Sequence, residues 1–300
     1  MSSRVQKKAA ARERVAAQLA AQQRAERRRR LLLAIGAVVL VVVIVAGLVT
    51  IRLVGGGKKT ATGGSGTADS QIMAALTSIP DSTFSAVGTD GVQAAPSAID
   101  APALTADGKP RVLYIGAEFC PYCAAERWPV TVALSRFGTF SNLGTTHSAG
   151  ADVFPNTATL SFHGATYTSQ YLSFTGVETT TNEQVGGQYK PLDTPTAEDQ
   201  KIFDTYNKPP YVQSGGSIPF VALGGKYVGS GATLSPEALA GKTQAQIADA
   251  LKDSSSPIAK AVNASSLVYT AAICELTGNQ PSKVCSTDAV TAAAGKLGKS

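Results

Sequence analysis

The chain is poor in charge: only 16% of its 300 residues are Asp, Glu, Lys or Arg. Its positive excess does not belong to a folded surface. Ten of the 27 basic residues and two of the 21 acidic ones lie in residues 1–30, which leaves 17 bases against 19 acids in the remaining 270. A basic face for nucleic acid is thereby excluded from the rest of the chain; the basicity is a tail. Histidine is scarcer still. His147 and His163 are the only two, far apart and without metal-ligand spacing, and both read as non-catalytic. Glycine-rich "GGKYVGSGA" fits neither a phosphate-binding loop nor a dinucleotide fingerprint, and no internal repeat is present. The one tryptophan, Trp128, is expected to pack inside a helix.

Charge is missing altogether from Leu31 to Ile51, a run of 21 residues. At about 1.5 Å per residue that length spans a hydrocarbon core of roughly 30 Å as one helix. A cleaved signal peptide would have a shorter apolar run and a small-residue cleavage site, whereas "RLVGGGKK" follows here. A buried core helix would show a polar face. Arg27 to Arg30 stand directly before the run and keep the N-terminal side in the cytoplasm. The expected order is therefore a basic cytoplasmic tail (1–30), a transmembrane helix held by the lipid bilayer (31–51), and a Gly/Ser/Thr-rich flexible linker (52–70). An extracytoplasmic domain (71–300) follows, in a single-pass protein of the cell membrane and its envelope.

Within that domain, "QIMAALTSI" predicts a short helix ended by Pro80, and "RVLYIG" a short strand. The stretch "AAERWPVTVALSRFG" has helical apolar spacing at Trp128, Val132, Leu134 and Phe137, with Pro129 expected to kink or shorten it. "TATLSFHG" and "TYTSQYLSFTGVET" read as β segments turning at Gly164. Thr196 to Asn207 reads as a helix capped by Thr196 with Asp199 three residues on. "SIPFVALGGKYVGSG" reads as two strands around a Gly224-Gly225 turn, and two further stretches after Ser235 as helices. The expected class is mixed α/β.

Cysteine is also sparse: Cys120, Cys123, Cys274 and Cys285. A four-thiolate zinc site is one reading of the first pair, but the second pair, in "CELTGNQPSKVC", lacks the matching spacing. A structural staple is another, yet so short a loop restrains the unfolded chain little. Redox chemistry suits the pair better. Directly after a strand and at the start of a helix, the free N–H groups and the helix dipole favour the thiolate, the attacking species. Cys120 is then the exposed nucleophile and Cys123 the partner that resolves the mixed disulfide. Pro121 suits a first helical turn. Glu118, Glu126 and Arg127 flank the pair and read as solvated surface residues, Arg127 being the one best placed to lower a thiol pKa.

The segments "IGAEFCPYCAAERW", "TATLSFHGATYTSQYLSFTGVET", "SIPFVALGGKY" and "ICELTGNQPSKVC" resemble the thioredoxin superfamily. More narrowly they resemble the bacterial and archaeal family named domain of unknown function 929, over roughly residues 75 to 290. The resemblance implies a thioredoxin-like fold with a C-terminal helical extension and an insertion between Val177 and Ile218 that forms a helical cap over the redox site. It further implies a cis Ile218-Pro219 bond facing the cysteine pair. Ile218, Pro219, Pro121 and Tyr122 would then line a substrate groove. Cys274 and Cys285 read as a structural disulfide, with a second redox pair as the sharper alternative.

Two functions remain open from the sequence. One is a membrane-anchored, extracytoplasmic thiol–disulfide oxidoreductase acting on thiol or disulfide proteins and needing no cofactor. The other is a non-catalytic binding module of the cell envelope with structural disulfides. An exposed Cys120 touching a cis Pro219 would favour the first, a buried Cys120 the second.

Overall fold

A computed structural model describes residues 66–68, 70–213 and 215–298. The expected tail (1–30), membrane span (31–51) and most of the linker lie outside the described residues. Among the described residues no helix is long and apolar enough to cross a membrane.

The described chain opens with β1 (Gly66–Thr67), α1 (Ser70–Thr77), α2 (Asp81–Val87), β2 (Ser97–Ala98) and β3 (Thr105–Ala106). Then come β4 (Lys109–Gly116), α3 (Pro121–Ser135), β5 (Thr139–Ser141), β6 (Gly144–His147), β7 (Ala158–Ser161), β8 (Thr166–Thr168) and β9 (Ser173–Glu178). The hairpin β10 (Thr180–Val185) and β11 (Gln188–Pro191) leads to α4 (Ala197–Tyr206) and a second hairpin, β12 (Phe220–Leu223) and β13 (Tyr227–Ser230). A single 3-10 turn (Pro236–Leu239), α5 (Gln244–Ala250), α6 (Pro257–Leu276), α7 (Ser282–Cys285) and α8 (Asp288–Ala294) close it. This is a mixed α/β fold, as the sequence order predicts.

β4 is the centre of the main sheet. β9 runs parallel along one side of it, from Arg111↔Ser173 to Gly116↔Glu178. β12 lies antiparallel on the other side, and β13 and then β2 extend the sheet outward. Successive residues of a strand point to opposite faces. Val112 and Tyr114 therefore join one core with Trp128, Val132 and Leu134 of α3 and with Leu267 and Val268 of α6. Leu113 and Ile115 join a second core, against which Ile202, Phe203 and Tyr206 of α4 pack. The unbroken apolar run "RVLYIG" has this cause: the strand is covered on both faces.

α3 is enclosed to an extent its sequence does not announce. From Pro121 to Leu134 every residue except Tyr122 is buried, and Pro129 sits inside the helix without ending it. Sheet, α6 and β7 close around it, so there is no solvent face for the charges of "AAERW" to occupy.

Two other expectations change. The linker assigned to 52–70 ends early, because Gly66 and Thr67 pair with Thr145 and Gly144. The insertion after Val177 is helical only over Ala197–Tyr206. Its first part is the β10–β11 hairpin, held to the cysteine loop by the Glu118 N–H bond to the Thr180 carbonyl (2.9 Å). Its helix, α4, lies on the sheet instead, with Phe203 edge-on to Phe220.

Candidate active site

The site grows out of the β4–α3 junction. β4 delivers the chain at Gly116, and Cys120 caps α3 with Pro121 in the first turn. As N-cap, Cys120 turns its sulfur back over the open end of the helix, where Sγ accepts the Cys123 N–H at 3.3 Å. From the opposite side the Cys120 thiol reaches the Ile218 carbonyl at 3.8 Å. Ile218-Pro219 is cis. The chain thus brings Cys120, Cys123, Ile218 and Pro219 together from two segments about a hundred residues apart. Tyr122, between the cysteines, is 44% exposed and stands edge-on to Phe154, whereas Pro121 is buried. The cysteines are free thiols, while Cys274 and Cys285 are joined in a disulfide at the end of α6.

One expectation about the nucleophile fails: Cys120 is only 6% exposed and Cys123 not at all. Against Cys120 Sγ lies the Ile218 carbonyl, in the Ser217–Pro219 turn that Asn207 holds in place. The buried Asn207 side chain donates to the Ser217 carbonyl at 2.8 Å and accepts the Ser230 hydroxyl at 2.6 Å, while Gly231 N–H bonds the Pro219 carbonyl at 2.8 Å. Asn207 gives no sign in the sequence beyond its place at the end of a helix.

The two thiols differ sharply. A hydrogen bond with the Cys123 side chain lowers the Cys120 pKa to about 7 against the opposing effect of burial, helped by the Cys123 amide and the charge of Arg127. Burial pushes the Cys123 thiol well above its ordinary range, and the bond to Cys120 adds to this. Of the pair, the outer member is thus the better thiolate.

The flanking charges overturn the surface reading. Arg127 and Glu126 are wholly buried and Glu118 partly so. Arg127 forms a fork-on-fork pair with Glu178: Nε to Oε1 at 2.7 Å and Nη2 to Oε2 at 2.6 Å, with Nη2 also donating to the Ala117 carbonyl at 2.8 Å. Burial works most strongly against the Arg127 charge, but Glu178, Tyr114 and Cys123 together outweigh it, and the Arg127 pKa stands above the usual value. Glu126 faces the other way, toward α6, accepting the Thr233 N–H and hydroxyl at 2.8 Å each and the Tyr269 hydroxyl. Glu118 accepts the hydroxyls of Ser161 (2.7 Å) and Thr146 (3.3 Å). The helical spacing of Cys123 and Arg127, four residues apart, is the one signal that could have found the buried arginine.

A family model described as domain of unknown function (DUF929) matches residues 96–275, which include both cysteines of the site and the Ile218-Pro219 turn. No curated protein and no solved structure matches the chain.

Proposed function

The chain belongs to the DUF929 family, whose description carries no activity, and we propose from the site that it is a thiol–disulfide oxidoreductase with a thioredoxin-like domain. In this reading the basic tail and the 31–51 run anchor it in the membrane, with the redox domain outside. The thioredoxin-like assignment is supported by a C-x-x-C pair at the start of a helix after the central strand and by a cis proline opening the neighbouring strand. One observation carries the activity: Cys120 Sγ lies at the helix start, hydrogen-bonded to the Cys123 amide and touching Ile218, with its pKa lowered to about 7.

The chemistry is a two-step exchange. The Cys120 thiolate attacks one sulfur of a substrate disulfide; that S–S bond breaks and the other substrate sulfur leaves, taking a proton. Cys123 then gives up its proton and attacks Cys120 Sγ, and the second substrate sulfur leaves as a thiol. The enzyme dithiol has lost two electrons and two protons, and the substrate disulfide has gained both. Run backward, the same steps insert a disulfide. Ile218, Pro219, Pro121 and Tyr122 would border the substrate chain, an extracytoplasmic thiol or disulfide protein.

Burial of Cys120 favours a second reading, a binding module in which the pair never exchanges. Equilibrating the full-length chain with glutathione buffers separates the two. An oxidoreductase gives a reversible two-electron couple that Cys120→Ser abolishes, and Cys123→Ser accumulates a mixed disulfide with glutathione. Thiols that stay unreactive in the folded chain would leave the binding module.

A further inference from the structure

We propose that Arg127, fixed in place by Glu178, is a positioning residue for thiol exchange: it holds a permanent cation beneath the cysteine pair and sets how readily the pair carries negative charge. The inference rests on the redox reading above and goes beyond it, because nothing in the exchange steps themselves requires a buried arginine.

The helix supplies the alignment. Cys123 and Arg127 stand four residues apart on one side of α3, and Cys120 closes the same end of that helix as its cap. The backbone supplies the proximity. The Ala117 carbonyl accepts both the Cys120 N–H (3.3 Å) and Arg127 Nη2 (2.8 Å), so the guanidinium and the nucleophile's own amide converge on one oxygen. Glu178 supplies the fixation. It ends β9 opposite Gly116 of β4, its N–H is held by Asp193 at 3.0 Å, and its carboxylate also accepts the Phe162 N–H at 3.3 Å.

The guanidinium is not used up by these partners. Arg127 Nη1 is buried and has no hydrogen-bond partner among the described residues. A buried donor on a charged group left unpaired costs more than the roughly 1–3 kcal/mol of a neutral one. As a purely structural device such a pair is poor, since a well-packed apolar pair of similar volume usually does as well or better. What an apolar pair could not supply is charge where charge develops. In the first step negative charge sits on Cys120; in the second it must form on Cys123, which burial opposes. Arg127 lowers the pKa of both thiols.

The direction of the effect on potential follows. A cation that steadies the thiolate steadies the reduced enzyme, and a steadier dithiol makes the couple more oxidising. The test uses two full-length variants of opposite expected sign. Arg127→Met with Glu178→Met removes the cation and its counter-ion together. The Cys120 thiolate, followed by its ultraviolet absorbance, should titrate about one pH unit higher. The glutathione equilibrium should shift about tenfold toward the enzyme disulfide, about 30 mV for a two-electron couple. Glu178→Gln leaves the cation less neutralised, so both quantities should move the other way. A merely structural role would move neither, or both variants alike, and either result overturns the proposal. Should these variants fail to fold, the wild-type Arg127 Nε–H resonance decides: it should shift with the midpoint of the thiolate absorbance, and a resonance indifferent to that titration refutes the coupling. A wild-type chain without any glutathione-dependent couple would instead sink the redox reading itself.

Discussion

Glu126 is a carboxylate without a cation, buried between α3 and α6, and Glu126→Gln turns that into a measurable pH dependence. Burial raises its pKa from an ordinary 4.5 to about 7, although the Tyr269 hydroxyl and the Thr233 amide and hydroxyl all favour the charged form. Between these values the folded chain keeps a proton that the unfolded chain has released. The folded state therefore binds more protons, and stability falls as pH rises from about 4.5 to 7. The shift, at about 1.36 kcal/mol per pH unit, amounts to about 3 kcal/mol lost on passing from below this window to above it. Gln fits the same partners: its carbonyl can accept both Thr233 donors and its amide can donate to Tyr269, but it has no proton to lose. The stability of Glu126→Gln relative to wild type should therefore grow by about 3 kcal/mol between pH 4 and pH 8, about 10 °C in melting temperature for a domain of this size. Urea or thermal unfolding of the two proteins across that range is the assay. Difference curves flat with pH would refute the reasoning, since they would mean that Glu126 titrates alike folded and unfolded.

Two further outcomes follow from the packing. Replacing Cys274 and Cys285 with Ser together opens a loop of sequence separation 11 and should cost about 3 kcal/mol in calorimetry by loop entropy; the Cys120 glutathione couple should stay unchanged, and its loss would make the second pair a redox partner of the first. Gly116→Ala should destabilise the fold by about 2 kcal/mol in urea titration, because a Cβ there would meet Tyr114 Oη at 2.5 Å and the buried ring, whose hydroxyl reaches the Cys123 carbonyl at 3.4 Å, has little room to yield; wild-type stability in that variant would show that the ring moves freely.

Much of the fold was legible because local rules and tertiary packing agree. The Gly224-Gly225 turn, at φ 57° and 78°, joins β12 to β13 as the glycine pair predicts. Thr196 caps α4 by accepting the Asp199 N–H at 3.1 Å. Asp199 departs from the capping-box expectation: its carboxylate accepts the Thr196 hydroxyl at 2.8 Å and pairs with Arg111 at 2.6 Å instead of reaching back to the cap's backbone. Trp128 is buried in α3, as expected of a packing residue, with its ring N–H on the Ala158 carbonyl.

The site was half legible, and the illegible half has a physical cause. A cysteine pair at a strand–helix junction announces itself through spacing alone. The elements around it do not, because burial of a charge depends on a partner supplied from elsewhere in the chain. Arg127 is tolerable inside only because β9 brings Glu178 to it across 51 residues, and Glu126 only because Thr233 and Tyr269 reach it from 107 and 143 residues away. Read on a single helix, "ER" is a solvent face by every local rule. The same dependence applies beside Cys120: the Ser217–Pro219 turn, whose Ile218 carbonyl touches the sulfur, is held by Asn207 and Gly231, a constraint with no local signature. The Ile218 carbonyl stands at the Cys120 sulfur, and the polar anchors that fix its turn come from the end of α4 and from the residue after β13, neither of which the cysteine motif announces.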